Sequence, residues 1–595
     1  MARRANKSQP HNASKQVNKS PDKKELSEPQ VRVPLETTSV GSSHQRPPPK
    51  SFLKSLGDIR TQRSLQLILL ASLQAAVSQL NLSPVYGAVP AALYHRYGLT
   101  MSFLVAFLLR GHLPWWIGRA ITPFAFWIPT VQFLAFRFSS YLGNPLGPVV
   151  TECLTCYPLM ALSVYMSLQC LDEANDSSTA TADAFPAMGL FALLTVLQRA
   201  CKSFVTSLAA GPGFLRSRIG MQLVVASLYA MALPKSLIWP SIPAVAFTMV
   251  ANPHCSLSRT TEVLNNTLAL YDYTLLERKE SVTGYISVLE DKTRDFRVMR
   301  CDHSLLGGEW KMSPEWTSTR RVVGEPIYAI FTMLEAVRLV GTSAELSSPR
   351  DDKQRALNIG LGVGTAPSAM IAHGVDTTII EIDPVVYEFA IEYFGLPRDH
   401  HTCEIADAVF AVANRTTYEA GSYDYIIHDV FTGGAEPIQL FTSEFFKDLK
   451  VLLKPEGVIA INYAGDISMP SSSIVYKTIT SVFGSCRVFR EDEAPAAGQK
   501  KDGGDDFTNM VFFCRKHEGL PVTFRKPVET DFLGSGTRKE YMIPKHEMIP
   551  GTFDHNVEIL TSGKTKVMEK YHAKSSIGHW KVMRTVLPDV VWEMW

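Results

Sequence analysis

The sequence predicts an α-helical membrane domain at residues 64–251 and a doubly wound α/β domain at residues 353–516. Two patterns carry this prediction. Apolar runs of membrane-spanning length recur in the first region, and short apolar strands alternate with helical segments in the second. In addition, a chain of 595 residues is too long for one compact core. A small region at residues 280–345, with a β-hairpin and a helix, precedes the α/β domain.

Residues 1–55 form a polar segment rich in lysine, serine, proline and glutamine. The first 50 residues carry ten Lys/Arg and four Asp/Glu, and they lack the apolar core of a signal peptide. Such a composition buries too little apolar surface to fold, so we expect a disordered basic tail. The net charge of the whole chain is only +2, so no global field points to a nucleic-acid partner.

Six apolar runs follow the tail, and each approaches or exceeds the roughly 20 residues that cross a bilayer as a helix. These runs lie at 64–92, 99–109 with its extension, 120–138, 148–171, 185–209 and 221–251. Charges are sparse, and Trp115, Trp116 and Trp127 suit interfacial positions. A buried helical bundle is the alternative, but six successive runs favour an integral multi-pass membrane protein with five to seven crossings.

The orientation of this region has two interpretations. The basic tail predicts a cytosolic N-terminus, and six crossings then place the C-terminal half in the cytosol as well. The basic loop at Arg216 and Arg218 and the acidic loop at 172–183 favour the opposite orientation. Asn175 lies in an N-x-S sequon, and glycosylation there would place the acidic loop in a lumen. We expect a lipid bilayer as partner and a cytosolic C-terminal half, in an organelle that stays open.

Nine cysteines are scattered along the chain, and their number and spacing match no disulfide framework. The only C-x-x-C pair, Cys153 and Cys156, lies within an apolar run and has no second pair. We therefore expect these two residues to pack between helices rather than to form a redox or zinc site. No metal site is predicted.

From about residue 255 onward the sequence is typical of a soluble domain. Residues 281–301 alternate and turn like a β-hairpin, and residues 325–340 have helical periodicity. The predicted strands then lie at 355–361, 377–382, 402–406, 423–430, 457–463, 486–491 and 508–515. The predicted helices lie at 366–374, 384–394, 408–414 and 442–453. Strict alternation predicts a doubly wound parallel sheet, followed by a polar extension at 517–595.

The first chemistry-bearing motif is LNIGLGVGTAP at 357–367, which joins a predicted strand to a predicted helix. Glycine permits a tight turn and a close approach to a ligand, so Gly360, Gly362 and Gly364 are candidate cofactor-binding residues. A dinucleotide fingerprint would place its third glycine at position 365, which is Thr365. The early third glycine favours a cofactor without a pyrophosphate; a turn between buried elements is the alternative.

Carboxylates follow the next strands at the same edge of the predicted sheet. Glu381 and Asp383 end the second strand, where a carboxylate can take both ribose hydroxyls of a nucleoside. Asp407 follows the third strand and can accept from an adenine amino group or cap a helix. Asp429 follows the fourth strand, in the crevice where open α/β sheets bind ligands, and is the candidate catalytic residue. His428 points into the sheet, so we expect a packed residue.

Together, the hairpin, GLGVGTAP, EID, AD and YDYIIHDVF resemble the spermidine/spermine synthase family, over about residues 280–515. That family has the Rossmann-like fold of class I S-adenosylmethionine-dependent methyltransferases. The resemblance implies that the glycine loop and Glu381 hold the nucleoside of S-adenosylmethionine or its decarboxylated form. It also implies that Asp407 belongs to the donor site and that Asp429 serves an amine nucleophile.

Two departures from the family concern the acceptor. The family loop reads D-x-x-D-P, and here Thr432 replaces the second carboxylate. A Tyr-His pair on the preceding helix is typical of the family, and here it reads Tyr328-Ala329. Diamines are dications that need carboxylates, so the acceptor stays open. Tyr328 and Thr432 are the expected substrate-binding residues.

The resemblance implies a membrane-anchored transferase that moves an aminopropyl group from decarboxylated S-adenosylmethionine to an amine. A second hypothesis is an S-adenosylmethionine-dependent methyltransferase at a membrane, which acts on a lipid, a small molecule or a protein. A third is a non-catalytic scaffold that keeps the fold. The expected partner is a small-molecule amine or another nucleophilic acceptor, and a homodimer stays open.

Overall fold

The computed structural model of the chain describes residues 58–175, 180–209, 211, 213–233, 237–311, 323–341, 353–431, 434–494 and 506–595. The predicted basic tail and Thr432 lie outside the described residues. The described chain forms a helical region, a five-stranded antiparallel sheet and an eight-stranded mixed sheet.

The helical region is built around one long central helix. Its helices of nine or more residues are α1 (Ile59–Tyr86), α2 (His95–Leu108), α3 (Ile121–Phe136), α4 (Leu146–Leu154), α5 (Cys156–Asn175), α6 (Ala180–Ala209), α7 (Arg218–Ala232), α8 (Ile242–Val250) and α9 (Ser258–Ala269). Helix α1 contacts α5, α6 and α7. Its side chains Leu67 and Ile68 are fully buried, so α1 forms the core of this region.

Each predicted apolar run forms helix, but few of these helices are long enough to span a bilayer. Within the described part of the chain, α1 and the segment Phe185–Ala209 of α6 have the length and hydropathy of a membrane span. A third span results if α4 and α5, which are bent by 43°, count as one. The prediction of six crossings is therefore not confirmed. One reason is that the run at 221–251, which contains three prolines, is broken into two short helices.

Five strands form a meander in the order β1-β2-β3-β4-β5 where the sequence predicted one hairpin. They are β1 (Tyr273–Glu280), β2 (Tyr285–Asp291), β3 (Phe296–Cys301), β4 (Ser304–Trp310) and β5 (Glu325–Pro326). The predicted helix at 325–340 begins later, as α10 (Ala329–Leu334), and continues as a 3-10 turn at Glu335–Leu339. The sheet packs on the α/β domain through a shared core that includes Val288, Met299, Ile379 and Phe389.

The α/β domain contains an eight-stranded sheet in the order β13-β11-β12-β10-β9-β6-β7-β8. Its strands are β6 (Arg355–Ile359), β7 (Asp376–Glu381), β8 (His401–Ile405), β9 (Tyr423–His428), β10 (Leu453–Asp466), β11 (Ser485–Arg490), β12 (Phe507–Arg515) and β13 (His546–Glu547). Its helices are α11 (Thr365–Ala372), α12 (Pro384–Tyr393), α13 (Ala408–Arg415), α14 (Ser443–Leu452) and α15 (Pro470–Val482). Helix α15 was not predicted from the sequence, since its first turn is rich in serine.

The predicted parallel sheet is confirmed for β10, β9, β6, β7 and β8. Strand β12 is inserted antiparallel between β10 and β11. The chain leaves β6 toward β7 and β8, then returns to place β9 on the other side of β6. The order of strands therefore reverses between β6 and β9, and a crevice opens there at the carboxyl ends of the strands.

The extension at 517–595 is ordered into helices, contrary to its irregular appearance in the sequence. It contains α16 (Gly536–Tyr541), α17 (Lys566–Val586) and α18 (Asp589–Met594). Trp580 Nε1 donates to the carbonyl oxygen of Val85 in α1 at 2.9 Å. The ring of Trp595 stacks on His254 at 4.6 Å between centroids. The end of the chain therefore binds the helical region.

A disulfide joins Cys486 and Cys514, a pairing that the sequence analysis did not anticipate. These two residues lie directly opposite each other on β11 and β12. The inserted antiparallel strand brings them together although they are 28 residues apart in sequence. Cys153 and Cys156 are free thiols; Cys156 is buried as predicted, whereas Cys153 is exposed.

Arg300 joins three parts of the molecule through one buried guanidinium group. It donates to the carbonyl oxygens of Pro84 in α1, Val591 in α18 and Asp302 after β3, each at 2.6 Å. The ring of Trp592 packs on the same group. The helical region, the antiparallel sheet and the C-terminal helices therefore share one hydrogen-bonding centre.

We predict that Arg300→Ala destabilises the full-length protein by about 3 kcal/mol or more, because three buried carbonyl groups lose their donor. The measurement is the thermal midpoint of the purified protein in detergent. Arg259→Ala is the matched control, since Arg259 is exposed on α9. Equal midpoints for the two variants would contradict the assigned role of Arg300.

Candidate active site

A cavity of about 720 Å³ lies over the carboxyl ends of the parallel strands. It reaches from the donor side, at β6–β8, to the ends of β10, β11 and β12 and to helix α17. Five carboxylates line it: Glu381, Asp407, Asp429, Glu491 and Asp492. None of the described lining residues is a lysine or an arginine. The cavity therefore favours ligands that carry positive charge.

The glycine loop forms the floor of the cavity. Gly360 and Gly362 line it, with φ angles of 85° and 56° that favour glycine. A Cβ atom on Gly360 would lie 2.0 Å from the carbonyl oxygen of Asp429, and one on Gly362 would lie 2.4 Å from that of Leu306. Gly364 caps α11 and does not line the cavity, so it shapes the loop rather than contacting a ligand.

Glu381 holds the glycine loop and faces the cavity at the end of β7. Its Oε2 accepts from the backbone N–H of Leu361, and its Oε1 accepts from that of Asp383, both at 2.9 Å. Burial raises the pKa of Glu381 to about 7, although these two donors act in the opposite direction. The carboxylate thus lies where the sequence analysis predicted, next to the loop that approaches the ligand.

Asp407 and Asp383, both predicted donor ligands, differ in position. Asp407 lines the cavity and caps α13, with its side chain accepting from Val409 N at 2.9 Å. The two predicted roles of Asp407 are therefore compatible. Asp383 is fully buried and does not line the cavity. It caps α12 and accepts from the hydroxyls of Ser281 and Thr283, so its position gives it a structural role instead.

Asp429 lies at the switch point, beside the glycine loop. Its backbone N–H donates to Ile359 O at 2.9 Å, which fixes the end of β9 against the end of β6. Asn462 Nδ2 donates to Asp429 Oδ1 at 2.8 Å. Burial raises the pKa of Asp429 to about 6, and the hydrogen bond from Asn462 opposes this rise. At neutral pH this carboxylate is ionised yet close to its pKa, which suits proton transfer.

Aromatic side chains and unpartnered polar atoms line the other side of the cavity. Tyr328 OH and Asn462 Oδ1 are buried and have no hydrogen-bond partner among the described residues. Burial raises the pKa of Tyr328, so its phenol stays a neutral donor. His579 of α17 also lines this side, and burial lowers its pKa to about 3, so it adds no positive charge. Buried polar atoms without partners favour a polar ligand here.

His428 is a packed residue, as the sequence predicted. It is fully buried, its Nε2 lies 3.0 Å from Leu440 O, and the ring of Phe441 packs edge-on against it. Burial lowers the pKa of His428 to about 4, so the ring is neutral. Its neighbour Asp429 alone faces the cavity.

Several polar residues of the cavity were not predicted from the sequence, among them Asn462, Glu491, Asn509 and His579. Two of them had a signal in the sequence. Asn462 and Asn509 are polar residues inside apolar strands, where a polar side chain needs a partner. Glu491 and His579 had none, because their positions follow from the strand order and from the return of the C-terminal helices.

The residues of the cavity fit an S-adenosyl group. The two glycines provide a close backbone approach that any side chain would block. Glu381 and Asp407 follow consecutive strands, where ribose and base are bound in folds of this type. The acidic wall suits the positive charge of a sulfonium.

Comparison with known proteins gives a family. The family model of the spermine/spermidine synthase domain matches residues 340–488. The chain is 45% identical over 549 residues to the N-terminal histidine N-methyltransferase of Emericella nidulans, which covers 89% of this chain and 96% of that protein. It is 31% identical over 141 residues to a polyamine aminopropyltransferase of Vibrio vulnificus, which covers 23% of this chain and 47% of that protein.

A similar solved structure is that of a probable spermidine synthase from Corynebacterium glutamicum, with a TM-score of 0.33 and 17% identity. It covers 48% of this chain and 98% of that one. The fold and the cavity define the molecule as a transferase with a methyltransferase-type α/β domain. The chain belongs to the same family as the N-terminal histidine N-methyltransferase of Emericella nidulans.

We predict that Gly360→Ala weakens the affinity for S-adenosylmethionine by about 100-fold, because overpacking must push the loop away from Asp429. Isothermal titration of the full-length protein measures this affinity. Gly395→Ala is the control, since Gly395 has a φ of 68° but no atom within 4 Å of an added Cβ. Unchanged donor affinity in Gly360→Ala would remove the glycine loop from the donor site.

Proposed function

We propose that the protein transfers a methyl group from S-adenosylmethionine to a ring nitrogen of an N-terminal histidine in an acceptor protein. The 45% identity to a relative of that name, over 89% of this chain, carries the proposal. The chemistry of the cavity supports it. An N-terminal histidine has an α-ammonium group and an imidazole ring, and an acidic cavity with neutral polar donors suits both.

S-adenosylmethionine, when bound, supplies an activated methyl group and leaves as a neutral thioether. The chain must therefore align the acceptor and manage one proton. The lone pair of one ring nitrogen forms the new N–C bond while the C–S bond breaks. Asp429 accepts a hydrogen bond from the other ring N–H, which turns the lone pair toward the donor, and then takes that proton. Asn462 holds the carboxylate in place at 2.8 Å.

The pH dependence of kcat/KM tests this role of Asp429. The reaction needs Asp429 ionised, with a pKa of about 6, and the acceptor imidazole neutral, with a pKa of about 6.5 in a peptide. Log kcat/KM should thus rise with a slope of two at low pH. In Asp429→Asn we expect a slope of one, and a turnover at pH 8 that is lower than that of the wild type by at least about 100-fold.

Stability separates this role from a folding defect. Because the pKa of Asp429 is raised in the folded state, its ionisation lowers stability as the pH rises through about 6. Asp429→Asn removes that loss, so its thermal midpoint at pH 8 should not fall below that of the wild type. A wild-type slope and rate in the variant would exclude Asp429 from the reaction.

Aminopropyl transfer to a polyamine is the second candidate function. The synthase-domain match and the acidic cavity favour it, but the aminopropyltransferase relative from Vibrio aligns over only 23% of this chain. Titration with S-adenosylmethionine and with its decarboxylated form distinguishes the two. We expect tighter binding of the intact donor and methylation of a His-initiated peptide. Preference for the decarboxylated donor, with product formed from a diamine, would favour aminopropyl transfer. If the protein binds neither donor, a non-catalytic scaffold would be favoured.

The proposal includes a membrane anchor formed by the helical region. Only 22% of the apolar window of α6 is buried, and Phe185, Met188, Val196 and Phe204 are exposed along it. A stripe of this kind is unfavourable in water and favourable in a bilayer. Extraction at alkaline pH is the measurement: we expect the protein to stay with membranes, and its release would contradict the anchor.

The disulfide between Cys486 and Cys514 supports a location of the catalytic domain in an oxidising compartment, since such bonds are rare in the cytosol. This location agrees with the membrane orientation that the acidic loop at 172–183 favours, and it disagrees with the orientation that the basic tail favours. In sealed vesicles from intact cells, we expect the catalytic domain to resist protease, and mass spectrometry without reduction to find the Cys486–Cys514 peptide pair. Free thiols and rapid cleavage would favour the cytosol.

A further inference from the structure

We propose that Glu491, held by Asn509, binds the α-ammonium group of the acceptor and so restricts the reaction to a chain terminus. The inference rests on the proposed function and names the group that distinguishes an N-terminal histidine from an internal one. It follows from the register of four strands, from a second carboxylate–amide pair, and from the neighbourhood of Tyr328.

The strand register places four polar side chains on one face of the sheet. Asp429 follows the β9 residue that pairs with Ile461, so it lies level with Asn462 on β10. Asn509 on β12 pairs with Ala464 of β10. Glu491 follows β11, and its backbone N–H donates to Asn509 O at 3.0 Å. Side chains of residues in register share a face, and positions two apart on one strand do too.

The two carboxylates have the same kind of support. Asn462 Nδ2 donates to Asp429 at 2.8 Å, and Asn509 Nδ2 donates to Glu491 Oε2 at 2.7 Å. An amide fixes the orientation of a carboxylate without adding charge. Both carboxylates line the same cavity, so each presents a fixed acceptor to a bound ligand.

The two pairs lie at different positions on one face of the sheet, so the two carboxylate side chains and a bound residue together must bridge the distance between them. Strands β9 and β11 are three strand spacings apart, roughly 14 Å. Asn509 is level with Ala464, which lies roughly 7 Å farther along β10 than Asn462. Asp429 therefore lies beside the donor loop, and Glu491 lies farther out along the strands. An acceptor ring at Asp429 would place its α-ammonium group toward Glu491, from where the peptide chain leaves the cavity.

Tyr328 lies next to this second pair. Burial is the largest cause of the raised pKa of Tyr328, and the charge of the Glu491 carboxylate is the second. The buried Tyr328 hydroxyl has no partner among the described residues, so it can bond to the same ligand. The donor nucleoside binds at β6–β8, on the far side of β9, so Glu491 is too distant to serve it.

Selectivity for a terminus follows from charge. An α-amino group has a pKa of about 7.7–8.0, so at neutral pH it is an ammonium ion that pairs with Glu491. An internal histidine presents a neutral amide at that position, which cannot replace the ammonium ion, and the rest of its chain needs space there as well. Rejection by a missing charge is a common basis of specificity.

The experiment compares two acceptors with the full-length protein in detergent and S-adenosylmethionine as donor. One is a peptide that begins with histidine, and the other is the same peptide with hydrogen in place of the α-amino group. We expect the wild type to prefer the first by about 10- to 100-fold in kcat/KM, as a hydrogen bond to a charged group implies. This comparison needs no variant and therefore does not depend on folding.

Glu491→Gln then identifies the residue. We expect KM for the amino peptide to rise by about 10- to 100-fold with little change in kcat, while the desamino peptide is unaffected. The fall of kcat/KM above about pH 8, where the α-amine loses its proton, should disappear. Glu493→Gln, two residues away, exposed and outside the cavity lining, is the matched control and should match the wild type.

The outcomes separate this inference from the proposed function. If the wild type methylates both peptides equally, or if Glu491→Gln impairs both equally, then Glu491 does not bind the α-ammonium group, while histidine methylation stands. If the wild type methylates neither peptide although it binds S-adenosylmethionine, the proposed function is wrong and this inference falls with it.

Discussion

The close packing of Gly360 against the carbonyl oxygen of Asp429 is the constraint on which the site depends. Even one methyl group at position 360 would occupy the space of that oxygen, 2.0 Å away. The contact joins the loop proposed to bind the donor to the carboxylate proposed to serve the acceptor, at the ends of two neighbouring strands. Catalysis by alignment needs this kind of rigid neighbourhood, because the donor is already activated and the protein mainly fixes geometry.

The cavity combines this geometry with an uneven distribution of charge. Glu381 is held by backbone N–H groups, Asp429 and Glu491 are held by amides, and His579 is neutral because it is buried. These donors oppose the effect of burial, which raises the pKa of Glu381 to about 7 and that of Asp429 to about 6. In the proposed reaction the donor is a sulfonium and the methylated ring is positively charged until it loses a proton, so the same acidic wall would stabilise both.

The sequence predicted the strands of the parallel sheet, the glycine loop and Asp429, since each depends on local pattern and on the chain order of β6 to β10. The strand order beyond β10 has no such local signal. Because β12 is inserted antiparallel between β10 and β11, Asn509 and Glu491 come next to Asn462, and Cys486 meets Cys514. Neither the grouping of these polar residues nor the Cys486–Cys514 pair can be predicted from spacing along the chain.

Two other differences have physical reasons of their own. Apolar composition predicted six spans, but composition does not reveal where prolines and turns divide a run into helices too short to cross. The polar appearance of residues 517–595 gave little sign of α17, because half of its six buried residues are polar: Met568, Ser575, Ser576, His579, Trp580 and Met583. A helix that buries polar groups at a functional cavity gives a weak hydropathy signal.

The contacts of Arg300 and of the C-terminal helices limit which parts of the chain can be lost or exchanged during the evolution of this family. A fragment that begins at residue 270 would keep every described residue that lines the cavity. It would lose the partners of three side chains: Pro84, which accepts from Arg300; Val85, which accepts from Trp580; and His254, on which Trp595 stacks. The α/β domain is therefore not a module that gene fusion or loss could exchange freely. A descendant that lost the helical region would have to rebuild the surface that contacts α17, so the helical region and the α/β domain are expected to be inherited together.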